Sequence, residues 1–163
     1  MNTMKNENTL SKEQELVTPF AVSFTEYLSK ICLPVIELTC KGKELLFILD
    51  TGSDGSHINK TVVEELNQET FTVTPREGKV NVISTGNGIA KASEERCKIK
   101  LSLADFDFNV EFSVENLDQV FNFIKENDGV LVHGILGVDF LRANNWTIDF
   151  ANNMAYPAFR LKQ

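Results

Sequence analysis

A chain of 163 residues with 42% hydrophobic content suits one globular domain with a full core and is too short for a two-lobed enzyme. Its net charge of −7, without clustered Lys and Arg, argues against a nucleic-acid footprint. Three cysteines, Cys32, Cys40 and Cys97, have no Cys-x-x-Cys spacing; neither a disulfide framework nor a zinc site is indicated, and buried free thiols are expected.

The opening stretch MNTMKNENTLSKEQEL lacks the apolar centre of a secretory signal, and no run approaches the roughly 18 apolar residues of a membrane span. No membrane association and a cytoplasmic location are the expectations. Polar residues dominate to about residue 18, and residues 1–28 read as a flexible tail ahead of one domain over 29–163. LPVIELTC, KGK and ELLFIL then describe two strands around a Gly-centred turn, the second ending at Asp50. NKTVVEEL suits one or two helical turns with Asn59 as cap. KVNVIS and IAKASE flank TGNG, whose Gly86, Asn87 and Gly88 accept the positive φ of a tight hairpin tip.

Two strictly alternating runs follow, KIKLSL and FDFNVEFSV, each a half-buried strand. Residues 115–127 place Leu117, Val120, Phe121 and Ile124 at helical spacing, with Gly129 as terminator; a helix packed under the sheet is expected there. WTIDF and MAY read as strands joined at ANN, and Trp146 as core. The fold is thus mostly β, with one or two short helices and no internal repeat.

Two stretches carry the chemistry. LLFILDTGS is an apolar strand delivering a carboxylate into a turn, and GILGVDFL, whose Ile135 lies 85 residues after Asp50, is an apolar run broken by Gly134 and Gly137. Together with the Gly-rich hairpin between them and the closing segment VDFLRANNWTIDFANNMAY, this pair resembles the retropepsin-like aspartic peptidases, over roughly residues 31–157. The resemblance implies a single-lobe closed barrel, with Asp50 as the catalytic acid in an active-site turn of Thr51, Gly52 and Ser53. It implies that Ile135, Leu136 and Gly137 form the second motif and start a helix beside the first. It further implies that Thr51 links two protomers near a two-fold axis, and that Asp54 and a flap of Thr85, Gly86, Asn87 and Gly88 bind an extended peptide or protein substrate. No cofactor is called for. Retroviral members carry Arg after the second-motif Gly, where this chain has Val138, so Asp54 is expected to lack that partner.

The residues themselves support a narrower statement. A lone buried carboxylate costs several kcal/mol, so Asp50 needs donors, water or a neutral form. Thr51, Gly52 and Ser53 offer hydroxyl and backbone N–H groups, and a Ser53 hydrogen bond to Asp50 would favour the charged form. An Asp-x-Gly turn also occurs as a solvated acid capping its own backbone. Peptide hydrolysis by paired carboxylates needs two of them around one water, and only one such motif is present; the second must come from another copy of the chain. Two functions stay open: a homodimeric aspartic endopeptidase, or a catalytically silent module of the same fold that dimerises or grips peptide strands. His57 and His133 match no metal-ligand spacing, and the acids around Asp50 and Asp54 lack the alternation of a calcium loop; no metal is expected.

Overall fold

The computed structural model describes residues 16–17, 20–74, 82–85, 88–91 and 93–160. Strand β1 (Leu16–Val17) is followed by β2 (Val22–Ser23) and helix α1 (Thr25–Ile31). Strands β3 (Val35–Cys40) and β4 (Lys43–Leu49) form the expected hairpin. Lys41 and Gly42 both take positive φ, 50° and 79°, the geometry whose twist matches paired strands in a two-residue turn. Then come β5 (His57–Asn59), α2 (Lys60–Glu65), β6 (Thr70–Thr72) and the separate hairpin β7 (Val82–Thr85) and β8 (Gly88–Lys91). The long pair β9 (Glu95–Leu103) and β10 (Phe106–Glu115) precedes α3 (Asp118–Asp128), β11 (Gly134–Leu136) and α4 (Val138–Ala143). Strands β12 (Trp146–Asp149), β13 (Met154–Pro157) and β14 (Phe159–Arg160) close the chain.

Six strands form a closed ring in the order β10, β5, β11, β4, β3, β9, with β9 pairing back to β10 and β6 attached outside β9. Alternation fills the interior: Ile99, Leu101, Phe108, Val110, Phe112 and Val114 point inward with Leu38, Phe47 and Leu136. Phe47 and Phe112 stack with centroids 5.7 Å apart, while Trp146 packs against Phe20, Phe108 and Phe140 in the core, as expected. Cys40 and Cys97 are buried free thiols, burial pushing Cys97 up to about 11; Cys32 is exposed, contrary to expectation, because it caps the solvent end of α1 in the left-handed region.

A second apolar cluster lies on another face of the hairpin, where Val35 and Ile48 meet Phe121, Val130 and Val132, with Tyr27, Ile31, Leu117 and Ile124 against them. Helix α3 is the packing helix expected, closed by Gly129 at φ 72°, although Val120 turns out to solvent. Among the described residues there are four short helices, against the one or two expected. Helix α1 was missed because residues 22–28 were assigned to the polar tail. Phe24, Tyr27, Leu28 and Ile31 nevertheless fall at helical spacing, Phe24 is fully buried, and β2 pairs with β13. The rest of the proposed tail lies outside the described residues, except Leu16 and Val17, whose backbones pair with β14, and residues 20–21. Asn59 occupies the cap position of α2, but its side chain is used elsewhere: Oδ1 accepts from Leu117 N–H and Nδ2 donates to Asp118, tying α2 to the start of α3.

His133 replaces a strand neighbour of β4. Its N–H donates to Leu46 O at 2.8 Å, and its Nδ1 accepts from Leu46 N–H at 2.9 Å. Accepting that bond requires the neutral ring, and burial holds the His133 pKa below its ordinary value against the opposing pull of Glu65. The unfolded chain therefore takes up the proton first as pH falls below about 6.5. Stability is fully present above that value and declines as pH drops toward the folded pKa, at up to about 1.4 kcal/mol per pH unit per proton. Thermal melts at closely spaced pH values should show this decline below neutrality. His133→Asn, which keeps an acceptor near Nδ1 but cannot titrate, should flatten part of it.

Candidate active site

Strand β4 ends in the run Leu45 to Leu49, every second side chain turned into the barrel, and hands the chain to Asp50. Strand β11 lies parallel to it, Ile135 opposite Ile48 and Leu136 opposite Leu49, so both motifs leave the sheet at the same end. Asp50 N–H donates to Leu136 O at 3.0 Å. From there the first chain turns outward through Thr51 and Gly52, both exposed, while the second enters α4 at Gly137.

The Asp50 carboxylate is half-buried, and its Oδ1 accepts the Gly52 N–H at 2.8 Å. A Cβ on residue 52 would come within 3.1 Å of that same oxygen, so glycine keeps the approach of N–H to carboxylate open. Ser53 N–H donates to Asp50 O at 3.3 Å. The Ser53 hydroxyl donates to Gly55 O at 2.7 Å, so the expected hydroxyl bond from Ser53 to the Asp50 carboxylate is not the one formed. The hydroxyl instead closes the turn on itself, onto the carbonyl two residues further on.

Gly137 explains the second motif. A Cβ there would sit 2.4 Å from Gly55 O and 2.8 Å from Ser53 O, so the two backbones are in direct contact. Val138 N–H donates to Ser53 O at 2.8 Å and Asp139 N–H to Asp54 O at 3.2 Å. Two residues that the sequence reading passed over complete the junction. Ser56, almost fully buried, donates its N–H to Asp139 Oδ2 at 3.0 Å and its O–H to Oδ1 at 2.7 Å, and its Oγ accepts Gly137 N–H at 3.1 Å. The available signal was an acid in the first turn of the helix after Gly137, where acids belong, with a serine closing the motif turn.

Asp54 is exposed and lines a depression of about 540 Å³ with Val138, Asp139, Arg142 and Ala143. Val138 does replace the arginine of retroviral members, but Arg142, one helical turn later, borders the same space as Asp54. A larger depression of about 740 Å³ opens beside the turn, lined by Thr51, Val138, Leu141, Trp146, Ile148 and Phe150 together with Arg142 and Asn145. Phe150 is 59% exposed there, an unusual position for a ring of that size. Of the flap residues, Thr85 and Gly88 are paired across β7 and β8; Gly86 and Asn87 lie outside the described residues. Ile135 is half-buried and Leu136 fully buried in the junction. His57 follows Ser56, its Nδ1 buried without a hydrogen bond and 3.9 Å from Glu115 Oε1; burial lowers its pKa, with Glu115 opposing. Among the described residues no group of three potential metal ligands converges, and no helix is long and apolar enough to cross a membrane.

Residues 36–140 match a family model described as aspartyl protease. A retropepsin-like aspartic protease from Rickettsia conorii superposes with a TM-score of 0.50 at 13% identity, covering 93% of this chain and 98% of that one. The EIAV protease complexed with the inhibitor HBY-793 gives a TM-score of 0.46 at 16% identity, covering 68% of this chain and 86% of that one. The retroviral protease-like domain of Ddi1 from Leishmania major gives 0.45 at 18% identity, covering 80% and 95% respectively. No curated protein matches the sequence. The Rickettsia likeness bears out the single-lobe retropepsin-like fold.

The contact at Gly137 has a measurable consequence. Gly137→Ala should destabilise the fold by about 3 kcal/mol, the upper end of overpacking costs, because the obstructing atoms are backbone and cannot rotate away. A urea titration should show the midpoint falling with the slope unchanged.

Proposed function

The chain belongs to the aspartyl protease family, and on that premise we propose that it is a homodimeric endopeptidase that hydrolyses peptide bonds with a water held between two Asp50 carboxylates, one from each protomer. The observation carrying this reading is the position of Asp50. It stands half-buried at the end of a barrel strand, its backbone fastened to the second motif, with the exposed Thr51 and Gly52 beside it. A single protomer thus offers one rigidly mounted carboxylate of the motif on an open surface. Two such acids brought together cannot both ionise, so the pair holds one proton.

In that arrangement the ionised Asp50 takes a proton from water while the protonated partner gives its proton to the scissile carbonyl oxygen. The water oxygen bonds to the carbonyl carbon, forming a tetrahedral diol. Its collapse breaks the C–N bond, with a carboxyl proton passing to the leaving nitrogen and a diol proton returning to the pair. The second copy is supported by the depression at Thr51 and by the Phe150 ring, which rests edge-on against Phe24 yet stays 59% exposed, surface that another protomer would cover. Substrate in this reading lies extended, with Asp54 and the hairpin at Thr85, Gly86, Asn87 and Gly88 alongside it, main-chain bonds supplying affinity. A soluble cytoplasmic setting is part of the same proposal.

Asp50→Asn should lower kcat/KM by at least about 1,000-fold, within the range for losing acid–base chemistry, while preserving fold and assembly by sedimentation. Wild-type cleavage by the purified variant would end the catalytic reading and leave a peptide-binding module. Specific activity should also fall on dilution through the dimer dissociation constant, and the rate should follow a bell-shaped pH profile on the acid side of neutrality. Constant specific activity in a demonstrated monomer would contradict the shared site.

A further inference from the structure

We propose that Asp139 is a positioning residue for the reaction, acting through Ser56 to hold the turn that carries Asp50 in its working geometry; this rests on the function proposed above. The carboxylate faces the turn with both oxygens. Oδ2 accepts the Ser56 N–H at 3.0 Å, and Oδ1 accepts the Ser56 O–H at 2.7 Å as well as the Phe140 N–H at 2.7 Å. Ser56 passes the connection on, because its Oγ accepts the Gly137 N–H at 3.1 Å. Three donors on one carboxylate and a serine that both gives and receives make a closed circuit between two segments 83 residues apart.

The circuit matters because little else joins the outer part of the turn to α4. Thr51, Gly52 and Asp54 are exposed, and Gly52, Gly55 and Gly137 add no side chains to pack. Across to α4 the other ties are the two backbone bonds from Val138 and Asp139 to Ser53 and Asp54, while the ends of the turn are fixed by Asp50 N–H on Leu136 O and Ser113 N–H on Ser56 O. A carboxylate that must meet its counterpart across a dimer axis tolerates displacements of only about half an ångström. Asp139 does not touch the reacting atoms; it limits where Asp50 can be.

Asparagine at 139 cannot reproduce the pattern. Turned to accept from Ser56 N–H, its amide faces Ser56 Oγ as a donor and leaves the hydroxyl proton without its acceptor. The test uses Asp139→Asn, Asp139→Ala, Ser56→Ala and the double variant. Sites are counted by titration with a hydroxyl-bearing peptide mimic, and amide hydrogen exchange is followed at Gly52, Ser53, Ser56 and Val138. We expect kcat per titrated site to fall about 10-fold for Asp139→Asn and about 100-fold for Asp139→Ala, with KM within about threefold, the pattern of a displaced reacting group. The double variant should cost no more than Asp139→Ala alone, since the two residues act as one unit. Turn amides should exchange at least about tenfold faster, while those of Ile99 and Val110 in the barrel stay protected.

A lower melting temperature with unchanged kcat per site and unchanged turn exchange would overturn the proposal, leaving Asp139 a stabilising residue only. If Asp139→Ala does not fold, Asp139→Asn and Ser56→Ala decide by the same readouts. If the wild-type protein cleaves nothing, the proposed function fails. The exchange data then stand alone: accelerated turn amides support the clasp, and unaltered ones refute it.

Discussion

At Gly137 two backbones meet with no side chain between them, and the rest of the site follows from that contact. It is made possible by parallel pairing of β4 with β11, which brings Leu49 and Leu136 level and releases both chains at one end of the barrel. Any residue with a Cβ at 137 would push α4 away from Ser53 and Gly55, and the hydrogen bonds from Val138 and Asp139 would lengthen together. Gly134 repeats the condition three residues earlier, where a Cβ would lie 2.6 Å from His57 O and 2.8 Å from the Phe47 ring. The two glycines of GILG therefore let a three-residue strand lie flush between β4 and β5.

Around this junction the barrel supplies rigidity. Its interior is filled by alternating side chains from β9 and β10, whose length gives the ring a continuous wall leading into the short strands β5 and β11. Helices α1 and α3 cover the outer face of the β3–β4 hairpin, so the strand that ends in Asp50 is packed on both faces. This arrangement keeps the carboxylate's mounting stiff while leaving its neighbours Thr51 and Gly52 exposed. The histidines add an electrostatic condition: both His57 and His133 sit where burial favours the neutral ring, so acid conditions load the scaffold beneath the turn.

Much of this was legible in the chain. The hairpin turn at Lys41 and Gly42, the alternation of the two long strands and the Gly129 stop of α3 are local signals, readable because each depends on neighbours in sequence. The acid turn and the ILG motif were readable as a pair from their resemblance to a family, and their residues do meet. Less was legible where partners are distant. The Ser53 hydroxyl goes to Gly55 O, and Ser56 with Asp139 form a circuit at which only the acid in the first turn after Gly137 hints. Helix α1 was hidden by composition: its exposed face continues the polar character of the preceding stretch, and only the stripe from Phe24 to Ile31 betrays it.

The distance between the two motifs also sets an order of events during synthesis. Asp50 leaves the ribosome long before Leu136, Gly137 and Asp139, the groups that take its N–H and hold its turn, and non-local closures of this kind form late. Until β11 has emerged, β4 has no parallel neighbour on that side, and until α4 follows, the acid turn lacks the bonds from Val138 and Asp139. A nascent chain therefore carries its acidic residue in an unassembled state. The turn gains its braces only when nearly the whole domain is available to fold.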